Sequence, residues 1–125
     1  MSETNRAIDT DETMNLVVLR GAVRSEPVER TLPSGSLVVQ FDISAPLDGS
    51  AASAPVSITE PARAVLDCLE AGANVVVLGG VRRRFFRSGG TTQSRTEVIA
   101  TRVVPVRRRA AVAKLLAEAS ATLTT

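Results

Sequence analysis

Tryptophan, tyrosine and histidine are absent from this chain, and cysteine occurs once. Without histidine there is no imidazole to hold zinc, to act as a triad base or to shuttle protons near neutral pH. The single thiol, Cys68, cannot close an intramolecular disulfide. It falls in a helix-like stretch and reads as a small buried hydrophobe. No apolar run approaches the ~18 residues that a membrane-crossing helix needs. The acidic, polar beginning is not that of a signal peptide, so a cytoplasmic location is expected. No Ser or Cys stands beside a base, and there is no P-loop. The pairs Gly79-Gly80 and Gly89-Gly90 do not open helices, so a phosphate-cradling loop is not supported. The chain therefore reads as no enzyme, with no cofactor and no metal.

With only three phenylalanines, the core must be built from Val, Leu, Ile and Ala. Apolar residues still make up 44% of the 125, which excludes wholesale disorder and suits one domain. Many valines come in runs, a strand-forming pattern. The net charge of +2 is uninformative, but the charges are segregated. Glu3, Asp9, Asp11 and Glu12 stand against Arg6 near the start. Residues 82–109 hold nine arginines and one acid, Glu97. An acidic arm is joined to a basic body, which is either the electrostatic footprint of a polyanion binder or a solvated arginine-rich surface.

Residues 1–13 lack periodicity and read as a disordered acidic arm; Met14 is an alternative start. A first strand is expected over 15–24, with Gly21 marking a bulge or a barrel corner. Leu32-Pro33-Ser34-Gly35 is a turn signature. In the second strand, over 37–45, Leu37, Val39, Phe41 and Ile43 share one face by period-two alternation. A short third strand spans 55–59. A helix is expected over 60–71, with Thr59 as N-cap, Pro61 in the first turn and Gly72 as its stop. Strands over 74–87 and 94–106 follow, joined at Ser88-Gly89-Gly90. This order predicts an all-β, five-stranded OB-fold barrel over 14–106, with one helix between strands three and four. Residues 107–125 begin with three arginines and continue into an Ala-rich amphipathic helix, left open as docked, between subunits or mobile.

The patterned part resembles the bacterial single-stranded DNA-binding proteins. The correspondence runs through Asn15, Val17, Leu19, Gly21, Pro27, Arg30, Pro33-Ser34-Gly35, Val38 and Phe41. It continues with Leu69, Gly72, Val75-Val76-Val77, Gly79, the basic stretch Arg82-Arg83-Arg84-Phe85-Phe86, and Thr96-Glu97-Val98. The resemblance implies an OB barrel that binds single-stranded DNA in replication, recombination or repair and assembles as a dimer or tetramer. It also implies a nucleoid-associated place in the cytoplasm. Two departures mark a divergent or accessory member. The base-stacking aromatics of the family are mostly missing, with Ile58 at one such position and only Phe86 retained. The Gly- and Pro-rich tail with its acidic tip is absent as well.

Binding a single strand requires cations along the phosphates and flat faces for the bases. On a strand, Arg82, Arg84 and Phe86 point to one side. Arginine can fork onto phosphate or stack on a base, and so partly replaces an aromatic ring. Arg20, Arg24 and Arg30 are expected beside this surface, and Arg87 and Arg95 beside the hairpin tip. Phe41 is expected in the core, Phe85 in packing, and Glu97 as an ion-pair partner of a neighbouring Arg. The competing reading is an OB-fold interaction or assembly module with little DNA affinity, such as the partner of a full-length paralogue. RNA binding is not distinguished, since nothing in the sequence would read a 2′-hydroxyl.

Overall fold

The computed structural model describes residues 13–124, so most of the acidic arm lies outside the described residues. Six strands and two helices follow in the order β1 (Val17–Val23), β2 (Val28–Thr31), β3 (Leu37–Ser44), β4 (Ser53–Thr59), α1 (Arg63–Cys68), β5 (Asn74–Ser88), β6 (Thr91–Pro105) and α2 (Arg109–Thr124). The sheet order is β1-β5-β6-β4-β3-β2, and β1 also pairs with β3. That extra pairing closes a barrel. All neighbours are antiparallel except β4 and β6. The fold is the expected OB barrel with a helix between β4 and β5.

Among the described residues the strand count is six where five were expected. The additional strand is β2, which runs along the same edge of β3 as β1 does. β1 meets β3 at Ser44 and Ile43, and β2 meets it from Gln40 to Leu37. The two are one bent strand interrupted around Pro27, which lacks the N–H that a continuous ladder requires. At the closing seam, a Cβ on Gly21 would lie 2.0 Å from the Ser44 carbonyl oxygen. Only glycine lets β1 approach β3 closely enough to shut the barrel.

The interior is aliphatic. Val39, Phe41 and Ile43 of β3 meet Val56 and Ile58 of β4, Val75 and Val77 of β5, and Val98 and Val103 of β6. Helix α1 closes one end through Val65 and Leu66, followed by the buried Leu69.

The helix is shorter than expected, and Thr59 does not cap it. Thr59 is still paired with Val38 in β4, and Ala62 is the N-cap. Glu60 causes the delay. Its N–H donates to the Leu37 carbonyl at 2.7 Å, and its carboxylate accepts the Leu37 N–H at 3.1 Å. Glu60 itself is left-handed (φ 51°). The α region is in any case disfavoured for a residue that precedes proline.

Helix α2 docks on the outside of the barrel. Leu115 and Ala119 are buried against Val76 and Leu78 of β5 and Val104 of β6. A second tie secures the start of β1. The Asn15 side chain donates to the Val81 carbonyl and accepts the Val81 N–H, both at 2.7 Å.

Candidate nucleic-acid interface

Alternation places one residue set inside the barrel and the other on its outer face. On β3, Val39, Phe41 and Ile43 face inward, so Val38 and Gln40 face out. Across the ladders, Arg30 of β2 stands opposite Val38, Ser57 of β4 opposite Gln40, and Thr59 opposite Val38. On the β5–β6 hairpin, Arg82 faces Glu97, Arg84 faces Arg95 and Phe86 faces Gln93. The hairpin ends in a two-residue turn, Gly89-Gly90, with both φ angles positive (59° and 82°). That is the primed geometry whose twist matches the flanking strands.

These outer residues enclose a recess of about 240 Å³, bordered by Arg30, Gln40, Ser57, Thr59, Arg82 and Arg84, with Glu97 in its wall. Glu97 is only 3% exposed. Its carboxylate lies 3.6 Å from the Arg82 guanidinium and 4.0 Å from Nε of Arg84. That Nε is itself buried and makes no hydrogen bond. The side chains of Arg82 and Arg84 remain 61% and 40% exposed. One buried carboxylate thus anchors two guanidinium groups whose charge stays open to a ligand. Arg30 and Arg95 border an adjoining recess that also carries Glu26 and Asp42. Arg30 reaches Gln40 Oε1 at 3.5 Å, the limit of a hydrogen bond.

The eight residues singled out in the sequence separate into two groups. Arg30, Arg82, Arg84 and Arg95 come together around the recesses, and Phe86, 38% exposed, continues the same side of the hairpin. Arg20, Arg24 and Arg87 do not join them. Arg20 stands opposite Val76, which α2 covers. At ~3.3 Å per residue, that is ~20 Å along β5 from Arg82. Arg24 donates to Ser53 Oγ at 3.2 Å, near the far end of β4. Arg87 points to the other side of the hairpin. It ties the tip by donating to the Gly90 carbonyl at 2.8 Å and Thr92 Oγ1 at 3.4 Å.

Phe41 is in the core as expected. Phe85 is not packed: it is 65% exposed on the face opposite Phe86. Glu97 is the expected ion-pair partner, shared between two arginines. Gln40 and Ser57 were not singled out from the sequence. Each is a polar residue between core-facing apolar ones, and that alternation is the signal that would have found them.

A five-strand circuit closed by β1–β3, with β2 continuing β1 and a helix between β4 and β5, defines an OB-fold protein. No protein-family model and no curated protein matches the sequence. Among solved structures, the chain is similar to a Plasmodium falciparum SSB complex with ssDNA. The TM-score is 0.62 at 19% identity, covering 75% of this chain and 96% of that one. At this identity the likeness is one of fold.

Proposed function

We propose that this chain binds single-stranded DNA without sequence preference and acts in replication, recombination or repair. One observation carries the reading. Arg30 from β2, Arg82 and Arg84 from β5, and Arg95 from β6 converge on one outer face with Phe86 beside them. Cations that track phosphates next to a ring that can stack are the two requirements for holding a single strand. The similar Plasmodium falciparum protein is in complex with ssDNA, which supports the same reading. The action is protection of the strand and removal of its hairpins, with no bond made or broken. Val81 and Phe85, four residues apart on one side of β5, leave apolar surface exposed, which favours assembly into a homo-oligomer.

The second reading, a protein-interaction module, is favoured by Phe85 standing out from the hairpin and by the scarcity of rings. Fluorescence anisotropy separates the two. A labelled oligothymidylate of about 35 nucleotides, longer than one OB fold occupies, is titrated at two salt concentrations. The expected result is tight binding that weakens steeply with salt and is poorly competed by duplex. No binding even at low salt would overturn the DNA reading and direct the search to a protein partner.

A further inference from the structure

The basic recess does not end at β4. Thr59, on its rim, also borders a groove of about 490 Å³ over the β4–α1 junction. Val65, Arg102 and Val103 of that groove are in turn walls of a cleft of about 380 Å³ between α1 and α2. Arg107 and Arg108 close the far side of this cleft. Three depressions, adjacent ones sharing one to three wall residues, lie in series between Arg82 and Arg84 and the start of α2.

The charges along the track are unevenly occupied. Arg102 is held by Glu118 at 2.6 Å, and Asp67 is paired with Arg63 at 3.5 Å. The Glu60 carboxylate is engaged by the Leu37 N–H. The side chains of Arg107 and Arg108, both exposed, make no ion pair or hydrogen bond among the described residues. Two open guanidinium groups therefore stand at the far end, beyond a middle stretch of Pro61, Ala62, Val65 and Thr101.

We infer that the track is the path of a single strand. DNA gripped at Arg82 and Arg84 crosses the β4–α1 junction, and Arg107 and Arg108 receive its phosphates at a second station. This inference rests on the single-strand reading and extends it to a second site. Electrostatic contact with phosphate carries no base information, so the station adds length and salt sensitivity and no sequence preference.

The test uses the full chain and two oligothymidylates of about 5 and about 30 nucleotides, one near the lower limit of the site of one OB fold and one well beyond it. In the double variant Arg107→Ala/Arg108→Ala, affinity for the short oligomer stays within about twofold, and that for the long one falls about tenfold. The salt slope for the long oligomer drops by between one and two, since each single-strand phosphate contact contributes about 0.7. Arg107→Lys/Arg108→Lys restores most of the loss. Cys68, the sole cysteine, lies in the cleft wall and serves as a reporter. The long oligomer slows its labelling by a maleimide dye, and the short one does not. Unchanged long-oligomer affinity in the Ala variant, with unchanged Cys68 labelling, would overturn the track and leave the single-strand reading standing. Failure of the parent protein to bind either oligomer overturns both.

Discussion

Arg82 and Glu97 face each other across the β5–β6 ladder, their charged groups 3.6 Å apart and the carboxylate all but sealed from solvent. The buried acid needs its cations more than they need it. Stripping the partners from a buried charge costs several kcal/mol, about 3–5 in measured cases, although the exposed guanidinium groups make this pair a milder one. Arg82→Ala/Arg84→Ala should therefore lower the urea midpoint as well as abolish most DNA binding. Adding Glu97→Gln should recover the stability without recovering the binding. Glu97→Gln alone should tighten DNA binding at low salt by removing the negative charge from the recess. Urea unfolding and anisotropy on the same samples check all three.

Phe86 is the only ring on the Arg82–Arg84 side of the hairpin. Base stacking is worth about 1–3 kcal/mol per base. Phe86→Ala should thus weaken oligothymidylate binding about tenfold with the salt slope unchanged, whereas Arg82→Ala should lower the slope by about 0.7. Phe86→Trp introduces the sole tryptophan of the chain, and its fluorescence should be quenched when oligothymidylate binds. Phe85→Ala, on the opposite face, should leave DNA affinity unchanged.

Gly21 closes the barrel by having no side chain. Gly21→Val would push a branched carbon into the Ser44 carbonyl, which an ideal Cβ already meets at 2.0 Å. Overpacking costs typically 1–3 kcal/mol, and a backbone obstacle at the β1–β3 seam places this variant at about 3 kcal/mol or more. Gly79→Val meets the Ile99 carbonyl in the same way and should behave alike. Chemical denaturation monitored by circular dichroism measures both.

Leu115 fixes α2 to the barrel and is fully buried. Leu115→Ala should cost about 2–5 kcal/mol, the range for large-to-small core substitutions. Hydrogen exchange should show protection lost over α2 with β3 and β4 retained.

Burial pushes the Cys68 thiol above the ordinary cysteine range, while the nearby Arg107 and Arg108 pull it partly back. A raised pKa leaves less thiolate, the reactive form, at a given pH. Cys68 should therefore react more slowly with iodoacetamide at a mildly alkaline pH than free cysteine does. Arg107→Ala/Arg108→Ala should slow it further by removing the positive charges. A faster reaction in that variant would show that access, and not charge, governs the thiol.

Much of the barrel was legible in the chain because its signals are local. The alternation of Leu37, Val39, Phe41 and Ile43 dictates which face of β3 is buried, whatever lies beyond it. Gly35 sits at the expected turn with φ 91°, its N–H bonded to the Leu32 carbonyl at 2.8 Å. The side shared by Arg82, Arg84 and Phe86 follows from the same period of two. The start of α1 was legible only in part: a residue before proline avoids the α region, but the hold on Glu60 comes from Leu37 of β3, distant in the chain. β2 was not legible, since its four exposed residues (Val28–Thr31) carry no hydrophobic alternation. It is a strand because β3 offers it an edge.

Residue type and spacing along the chain were enough to settle the aliphatic core, the order of strands around one helix and the concentration of arginine in the second half. Which arginines come together was settled by folding alone. Arg30 and Arg95 border one recess because β3 and β4 bring β2 and β6 onto one sheet, while Arg20, on the strand next to β5, ends beside α2. That selection depends on the register and on the β1–β3 closure. Both are set by packing between distant segments and by a glycine small enough to let two backbones touch.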